Sequence, residues 1–469
     1  TENIISGVTG SGATGVNGIY FFNPLVVASP INGLIDRNHI FEVRHTGLNT
    51  NAQPANGIML APNSPEAAVT VTNNVISNIL SGQKNAVYAM TSGIFIQNGG
   101  GINIINNSIR LAGQITHNQS SETYSSCIFV NNFGTTGINI MNNILSNRIS
   151  NPAGGNGTHF GVWTRSASSF ANFNFNLFDM SPGTGRLLYL AGAFVNNRDS
   201  IFTLLGKGDF SYVNQPAFAD TVSLAIDTQN PDAAFTDAFG YPTGVAQDFN
   251  GNQRSVALGT GPVDLGAYEY EMTVEPPLVL PNPPPAPGGL STYELNGVVI
   301  AQIQWGTTGT LPSNMALAYY GEDPQQTEDI RYYFGKWKLV ATGGSNYNYT
   351  LKTRISPSSV GNSDTSALKA IVFTDKWYLT GTSVKTGDFI STSGLTAGGL
   401  YSLVDARFIA PVPASPADNQ FVGSTVTLKW SKANFLLPVL SKPGNSKGLD
   451  PEGSVPTYSV QLSSDSLFT

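Results

Sequence analysis

The sequence predicts an all-β protein: a right-handed parallel β-helix followed by β-sandwich domains. Three observations predict it. A repeat with intervals of 36, 33, 36 and 33 residues runs through the first part of the chain, with period-2 alternation and no helical patterning. Glycine (50) and proline (28) interrupt every window of the 469 residues. Only 11% of the residues are charged, against roughly 25% in ordinary soluble domains. Aromatic residues make up 10%, which is not a disordered composition.

The repeat is marked by an Asn pair. Arg37-Asn38, Asn73-Asn74, Asn106-Asn107, Asn142-Asn143 and Phe175-Asn176 align, each followed by a short aliphatic segment. A second signal runs in step: "NGIML" (56–60), "SGIFI" (92–96), "SCIFV" (126–130) and "FGVWT" (160–164), with "NGIYF" (17–21) as an earlier copy. A repeat built only of strands stacks as a solenoid, with strands about 4.8 Å apart. A period of 33 to 36 residues holds three strands and one or two loops, so residues 1 to about 200 are expected to make five or six coils.

Stacking gives the Asn pairs a structural role. The second position (Asn38, Asn74, Asn107, Asn143, Asn176) is expected to point inward and bond to its equivalents above and below, forming a ladder. The first position would take the left-handed backbone of a corner. Sugar or metal binding by these Asn is the functional alternative. Identical placement in successive coils favours the ladder.

The stretch 248–270, "DFNGNQRSVALGTGPVDLGAYEY", carries Asp248, Gly251 and Arg254, then Val263-Asp264-Leu265-Gly266-Ala267-Tyr268-Glu269. It resembles the terminal segment of bacterial cell-surface β-helix proteins of the choice-of-anchor type. The resemblance extends loosely over 1–270. It implies a secreted or surface-displayed β-helix, without implying an activity. Arg254 with Asp248 or Asp264 is expected to form an ion pair capping the last coil, whose open edge needs cover.

Residues 271–289 read as a linker, with seven prolines among the twelve residues from Pro276 to Pro287. That composition suits a semi-rigid spacer holding modules apart. Residues 290–410 read as a β-sandwich accessory domain. There "YNYTLKTRI" (347–355) alternates, and "ALKAIVFTDKWYLTG" reads as strand, turn at Asp375-Lys376, and strand. "FGKWKLVATG" and "GGLYSLVDA" resemble an accessory module of large secreted proteins of the Bacteroidota and relatives, which often leave by the type IX route. Residues 411–469 resemble part of a fibronectin type III-like domain, with Trp430 on an early strand and "YSVQLS" as a central one. The segment is shorter than a full sandwich, and Thr1 lies inside repeat sequence, so the residues are expected to belong to a longer polypeptide.

The net charge of −7, with no basic block, argues against nucleic acid. No apolar run reaches the roughly 18 residues of a membrane helix. The lone cysteine, Cys127, excludes an internal disulfide and reads as a buried, inert thiol. No cofactor or metal motif is present.

A polysaccharide-cleaving enzyme needs paired carboxylates or a base with a cluster of acids. Residues 1–190 hold six acids: Glu2, Asp36, Glu42, Glu66, Glu122 and Asp179. Asp36 and Glu42 fall on Thr72 and Asn78 one coil later, so no acidic stack forms. The densest polar cluster, 35–47, carries Asp36, His39, Glu42 and His45, the candidates for acid–base or metal chemistry. Strand alternation would put Glu42 and Arg44 on one solvated face, paired with each other. His117 and His159 stand alone, as loop or packing residues. Trp163 either stacks on sugar or fills a face. Ser200, Thr221 and Ser466 sit in Asp-Ser/Thr-apolar triplets that match an O-glycosylation pattern of Bacteroidota.

The expectation is an extracellular, surface-attached structural or adhesive array. It would contact polysaccharide, a cell-surface component or copies of itself. The alternatives are a polysaccharide lyase or glycoside hydrolase, and a filament or sheath subunit.

Overall fold

A computed structural model describes residues 1–430 other than 13, 25–29, 48–53, 82–89, 116–122, 132–133, 154, 209–210, 257–262, 273, 296, 321–331, 356–364, 374–376, 406–412 and 416–428. Strands dominate. Residues 4–213 wind into a parallel β-solenoid of about five turns.

The coils stack their strands in three long sheets, and the first coils add a short fourth sheet of Thr9–Gly10, Arg44–His45 and Leu80–Ser81. Sheet 1 stacks Val16–Asn23, Ala55–Pro62, Thr91–Ile96, Thr123–Val130, Gly157–Thr164 and Gly185–Leu190, with Ala193–Val195 added antiparallel at its end. Sheet 2 stacks Leu34–Asp36, Val69–Thr72, Ile102–Ile105, Ile138–Met141 and Phe170–Asn174. Sheet 3 stacks Ile4–Ile5, His39–Phe41, Val75–Ser77, Ser108–Gln114, Ile144–Ser150, Leu177–Met180 and Tyr212–Val213.

The alternating aliphatics become three columns inside the coil. Ile58, Ile94, Ile128, Val162 and Leu188 are register partners on sheet 1. Val71, Ile104, Ile140 and Phe173 align on sheet 2, and Ile40, Ile76, Ile109, Leu145 and Phe178 on sheet 3. All belong to one buried cluster. Burying each such side chain contributes about 1.5–3 kcal/mol, and the columns thereby fix the register, because a one-residue slip would turn every one of them outward.

The glycine of the "GI" signal follows from close approach. A Cβ at Gly57 would lie 2.6 Å from the Ile76 side chain and 2.7 Å from the Gly93 carbonyl oxygen. At Gly93 it would lie 2.7 Å from the Cys127 carbonyl oxygen. Cys127 is fully buried, and desolvation pushes its thiol pKa up, so it packs as a small apolar residue.

The end of the last coil is covered differently from the sequence expectation. The helix Arg198–Leu205 and the antiparallel strand Ala193–Val195 close it, with Ile201 and Val195 fully or almost fully buried against the core. Asn197 caps the helix, accepting from the Ser200 backbone N–H at 2.8 Å. Asp248, Arg254 and Asp264 lie on the flank of the solenoid instead. Residues 214–270 run back over the outside of sheet 3, where Leu224, Ala267 and Tyr268 pack on Val75, and Leu265 joins a cluster with Ile144 and Leu177.

Beyond 289 the sheets are antiparallel. Leu290–Leu295, Val298–Trp305, Tyr349–Arg354, Phe389–Leu395 and Thr382–Thr386 form one; Asn314–Tyr320, Tyr332–Thr342, Gly399–Asp405, Leu368–Phe373 and Trp377–Leu379 form the other. Both supply one buried cluster, including Tyr293, Ile303, Trp305, Leu351, Leu317, Trp337 and Leu403. The Tyr293 hydroxyl donates across it to the Met315 carbonyl at 2.6 Å. That cluster continues into the solenoid flank through Tyr212 and Phe239, with the Phe239 and Tyr319 rings 5.9 Å apart.

The proline-rich stretch bonds to the antiparallel sheets that follow it. Val279 pairs with Leu317 in both directions, at 2.7 and 2.9 Å, and Asn282 pairs with Thr292 at 2.9 Å. Proline suits such an edge, where few backbone N–H groups are needed. In 411–469 the described strands are Pro413–Ser415 and Lys429–Trp430, paired antiparallel; "YSVQLS" and Ser466 lie outside the described residues.

Candidate functional site

The inner corner between sheets 2 and 3 is an unbroken chain of Asn side chains. Asn38 Nδ2 donates to Asn74 Oδ1 at 2.8 Å, Asn74 to Asn107 at 2.9 Å, Asn107 to Asn143 at 3.0 Å and Asn143 to Asn176 at 3.0 Å. Each Oδ1 also accepts the backbone N–H of the preceding Asn, at 3.0 to 3.1 Å. Two residues that the repeat did not reveal extend it: Asn3 donates to Asn38 Oδ1 at 2.9 Å, and the Asn176 N–H reaches Ser211 Oγ at 3.4 Å. The five ladder Asn are 0 to 1% exposed, so a soluble ligand has no access to them.

The first residue of each pair does more than turn the chain. Arg37, Asn73, Asn106, Asn142 and Phe175 all have φ between 52° and 58°. Four of the side chains contact the flank segment, while Arg37 pairs with Glu2 and Asp36. Asn73 Nδ2 donates to the Gln247 carbonyl at 2.8 Å, Asn142 Nδ2 to that of Tyr241 at 2.7 Å, and Asn106 Nδ2 to that of Asp264 at 3.3 Å. Phe175 stacks on Tyr241, centroids 5.2 Å apart. One Asn of the pair thus holds the coils together, and the other holds residues 214–270 against them. Nothing in the local spacing signals the second role, because the partners are 99 to 174 residues away.

The expected pairing of Arg254 with Asp248 or Asp264 is corrected. Arg254 pairs with Glu269, their side chains 1% and 15% exposed, and donates to the carbonyls of Gly266 (3.0 Å) and Asp264 (3.3 Å). The two aspartates bind backbone instead. Asp248 accepts from the N–H groups of Asn250, Asn252 and Glu269 at 2.7 to 2.8 Å. Asp264 accepts from those of Ala238 (2.7 Å) and Tyr270 (2.8 Å). Carboxylates so engaged hold a loop in shape.

The acid–base candidates do not converge. Asp36 accepts from Arg37 Nε at 2.9 Å and from Asn73 Nδ2 at 3.1 Å. His39 Nε2 bonds the Val222 carbonyl at 3.0 Å, and His45 Nε2 bonds that of Gly12 at 3.1 Å. Glu42 is exposed, with φ 56°, at a turn between the strands His39–Phe41 and Arg44–His45. The continuous strand that would have paired it with Arg44 is broken there, and no ion pair joins them. Among the described residues, no group of three or more His, Cys, Asp or Glu could hold a metal ion. No helix among them is long and apolar enough to cross a membrane.

His159 is tied into a polar network inside the coil and does not stand alone. Ser125 Oγ lies 2.9 Å from its Nδ1, and its Nε2 lies 3.2 Å from Asn151 Oδ1. Asn147 Nδ2 donates to Ser125 Oγ at 3.0 Å. Burial lowers the imidazole pKa to about 4, so the ring is neutral, with Nε2 carrying the proton to Asn151. Ser125 and His159 are fully buried, which keeps substrate from this serine–histidine pair. Trp163 is 2% exposed, in a row where it stacks on Tyr189 (4.8 Å) and meets Phe129 edge-on (4.9 Å). It fills that face and offers no sugar platform. Ser200 lies half-buried in the helix Arg198–Leu205, and Thr221 is exposed beside Asp220.

The outer faces remain. On sheet 3, Asp179 accepts from Ser146 Oγ at 2.6 Å and pairs with Arg148. Arg110 stands nearby, half-buried, its pKa lowered by desolvation. Sheet 2 presents a second ladder on its outer side. Asn103 Nδ2 donates to Thr70 Oγ1 at 3.2 Å, Asn139 Nδ2 to Asn103 Oδ1 at 2.6 Å, and Asn172 Nδ2 to Asn139 Oδ1 at 2.6 Å. These four are register partners on successive strands. Asn172 is exposed and the other three partly exposed. Alternation with the inward aliphatics places such a row, but an isolated "INI" does not distinguish a ladder from ordinary polar surface. In comparison with known proteins, no family model, curated protein or solved structure matches this chain.

Proposed function

We propose that the chain is an extracellular, surface-attached structural and adhesive module array. It presents solenoid faces and loops to polysaccharide or to a cell-surface component. The observation that carries this reading is the hydrogen-bonded row Thr70–Asn103–Asn139–Asn172 on the outer side of sheet 2, partly exposed over its first three members and exposed at Asn172. It is an ordered polar array on a rigid support, whereas the acid–base candidates do not converge: His39 and His45 bond backbone carbonyls, Asp36 is held by the Arg37 and Asn73 side chains, and Glu42 stands apart at an exposed turn. The resemblance of 248–269 to choice-of-anchor segments supports a place on the cell surface, and export by the type IX route belongs to the same reading. In this reading the solenoid is right-handed, the two antiparallel sheets form a β-sandwich accessory module, and residues 411–469 belong to a fibronectin type III-like domain. Incubation with acidic and neutral glycans is expected to show retention without cleavage. New reducing ends or unsaturated products would replace this reading with a lyase or hydrolase.

A further inference from the structure

We infer that the outer ladder of sheet 2 is a binding site for an extended, neutral polysaccharide lying along the solenoid axis. This deepens the adhesive reading and rests on it.

The ladder is preorganised. Each internal Asn uses one amide N–H to reach the preceding rung and one lone pair to accept from the next. An Asn side chain has two donors and two acceptor sites, so each of these retains a donor and an acceptor directed away from the chain of bonds. The rungs thus repeat a donor–acceptor pair at the strand spacing of about 4.8 Å. A sugar hydroxyl is itself donor and acceptor, and a hexose in an extended chain advances by a comparable length. Successive residues of such a chain can therefore meet successive rungs.

Charge selects the class of glycan. Of the residues forming sheet 2, Asp36 alone is charged, and it is held by Arg37 and Asn73 at the N-terminal edge. A uronate or sulfate would find no cation on the ladder and would lose hydration there. The cations Arg110 and Arg148 lie on sheet 3. Beside the ladder, Met141 is partly exposed and offers an apolar patch for a ring C–H face. Because the amides hold each other, binding orders few rotamers, and the usual entropic cost is small.

The test uses the full chain. Binding is measured by depletion onto microcrystalline cellulose, chitin and curdlan, with polygalacturonate as the acidic comparison. Calorimetry then uses soluble oligosaccharides of increasing length from the polymer retained. The expected results are retention on at least one neutral polymer, little change with salt, and affinity that rises with oligosaccharide length up to about four sugars, one per rung. Asn139→Ala should weaken binding at least about tenfold, equivalent to one lost rung, and Asn103→Asp/Asn139→Asp should abolish it. Asn139→Thr, which suits a strand and keeps a hydroxyl, should bind between the two. Circular dichroism unchanged among the variants separates site loss from misfolding. Wild-type affinity in Asn139→Ala and the double Asp variant overturns the ladder site and leaves the adhesive reading standing. Salt-sensitive preference for polygalacturonate also overturns it. No retention on any polymer overturns both the site and the polysaccharide part of the proposed function.

Discussion

Asn107→Ala tests the inner ladder at its centre. The Asn107 side chain accepts from the Asn74 backbone N–H at 3.0 Å and from Asn74 Nδ2 at 2.9 Å. It donates to the Val71 and Ile105 carbonyls at 3.0 and 3.1 Å, and to Asn143 Oδ1 at 3.0 Å. Truncation strands the Asn74 N–H in a site without water, a penalty of about 1–3 kcal/mol. It also removes two or more buried hydrogen bonds worth about 1 kcal/mol each, for a total near 3–5 kcal/mol. Denaturant curves of a multi-module chain are not two-state, so native-state hydrogen exchange is the better assay. Amides of the coils flanking Asn107 should lose at least about a hundredfold in protection, while those of 290–405 should not change. Asn107→Asp adds a sign. Its carboxylate would face the Val71 and Ile105 carbonyls, which raises its folded-state pKa above the unfolded value. The protonated form is then favoured by folding, so this variant should gain stability as pH falls and lose it as pH rises through the folded pKa. Asn103→Ala, on the outer face and partly exposed, is the control and should cost under about 1 kcal/mol. An Asn107→Ala variant with wild-type protection around Asn74 would refute the ladder as a source of stability.

Other outcomes follow from the same structure. His159 titrates at about 4 in the fold instead of 6.5 because it is buried; the unfolded chain binds the proton more readily, so its contribution of about 3 kcal/mol is present above pH 6.5 and lost as pH falls toward 4. His159→Gln should flatten that part of the pH–stability profile, and an unchanged slope would contradict the assignment. Arg254→Met leaves Glu269 in a largely buried site, a loss of about 3–5 kcal/mol, and limited proteolysis should then release 214–270 while the coils persist. Phe239→Ala removes the ring between Tyr212 and Tyr319; it should cost about 3 kcal/mol and broaden the small-angle scattering profile as the antiparallel sheets swing relative to the solenoid. Gly93→Ala drives a methyl against the Ile109 side chain and the Cys127 carbonyl oxygen, and overpacking of this kind costs about 1–3 kcal/mol, read as a lower Tm.

How much of this was legible in the chain depends on the range of the interaction. The Asn and Gly-aliphatic signals recur because each coil sits on the one before it. A contact between neighbouring coils is a contact between residues 33 to 36 positions apart, so it is written as periodicity. The class of fold, the inward Asn and the close-packed glycine positions follow from that. The roles of Asn73, Asn106 and Asn142 toward the flank, the Arg254–Glu269 pair and the docking of Val279 on Leu317 do not. Each joins a repeated element to an unrepeated one, or two unrepeated ones, and leaves no spacing to read. The split at Glu42 was hidden because a left-handed φ at a glutamate has no sequence mark, unlike one at glycine or asparagine.

By itself, then, the sequence determined that this chain stacks, with what period, and which residues line its inner corner, since those are local patterns repeated by translation. The tertiary structure decided what the outside of the stack is. It covered sheet 3 with residues 214–270, closed the last coil with Arg198–Leu205, and left Thr70, Asn103, Asn139 and Asn172 as an open row on sheet 2. Which face stays exposed is settled by where non-repeating segments land, and their landing depends on shape and burial over distances that no periodicity encodes.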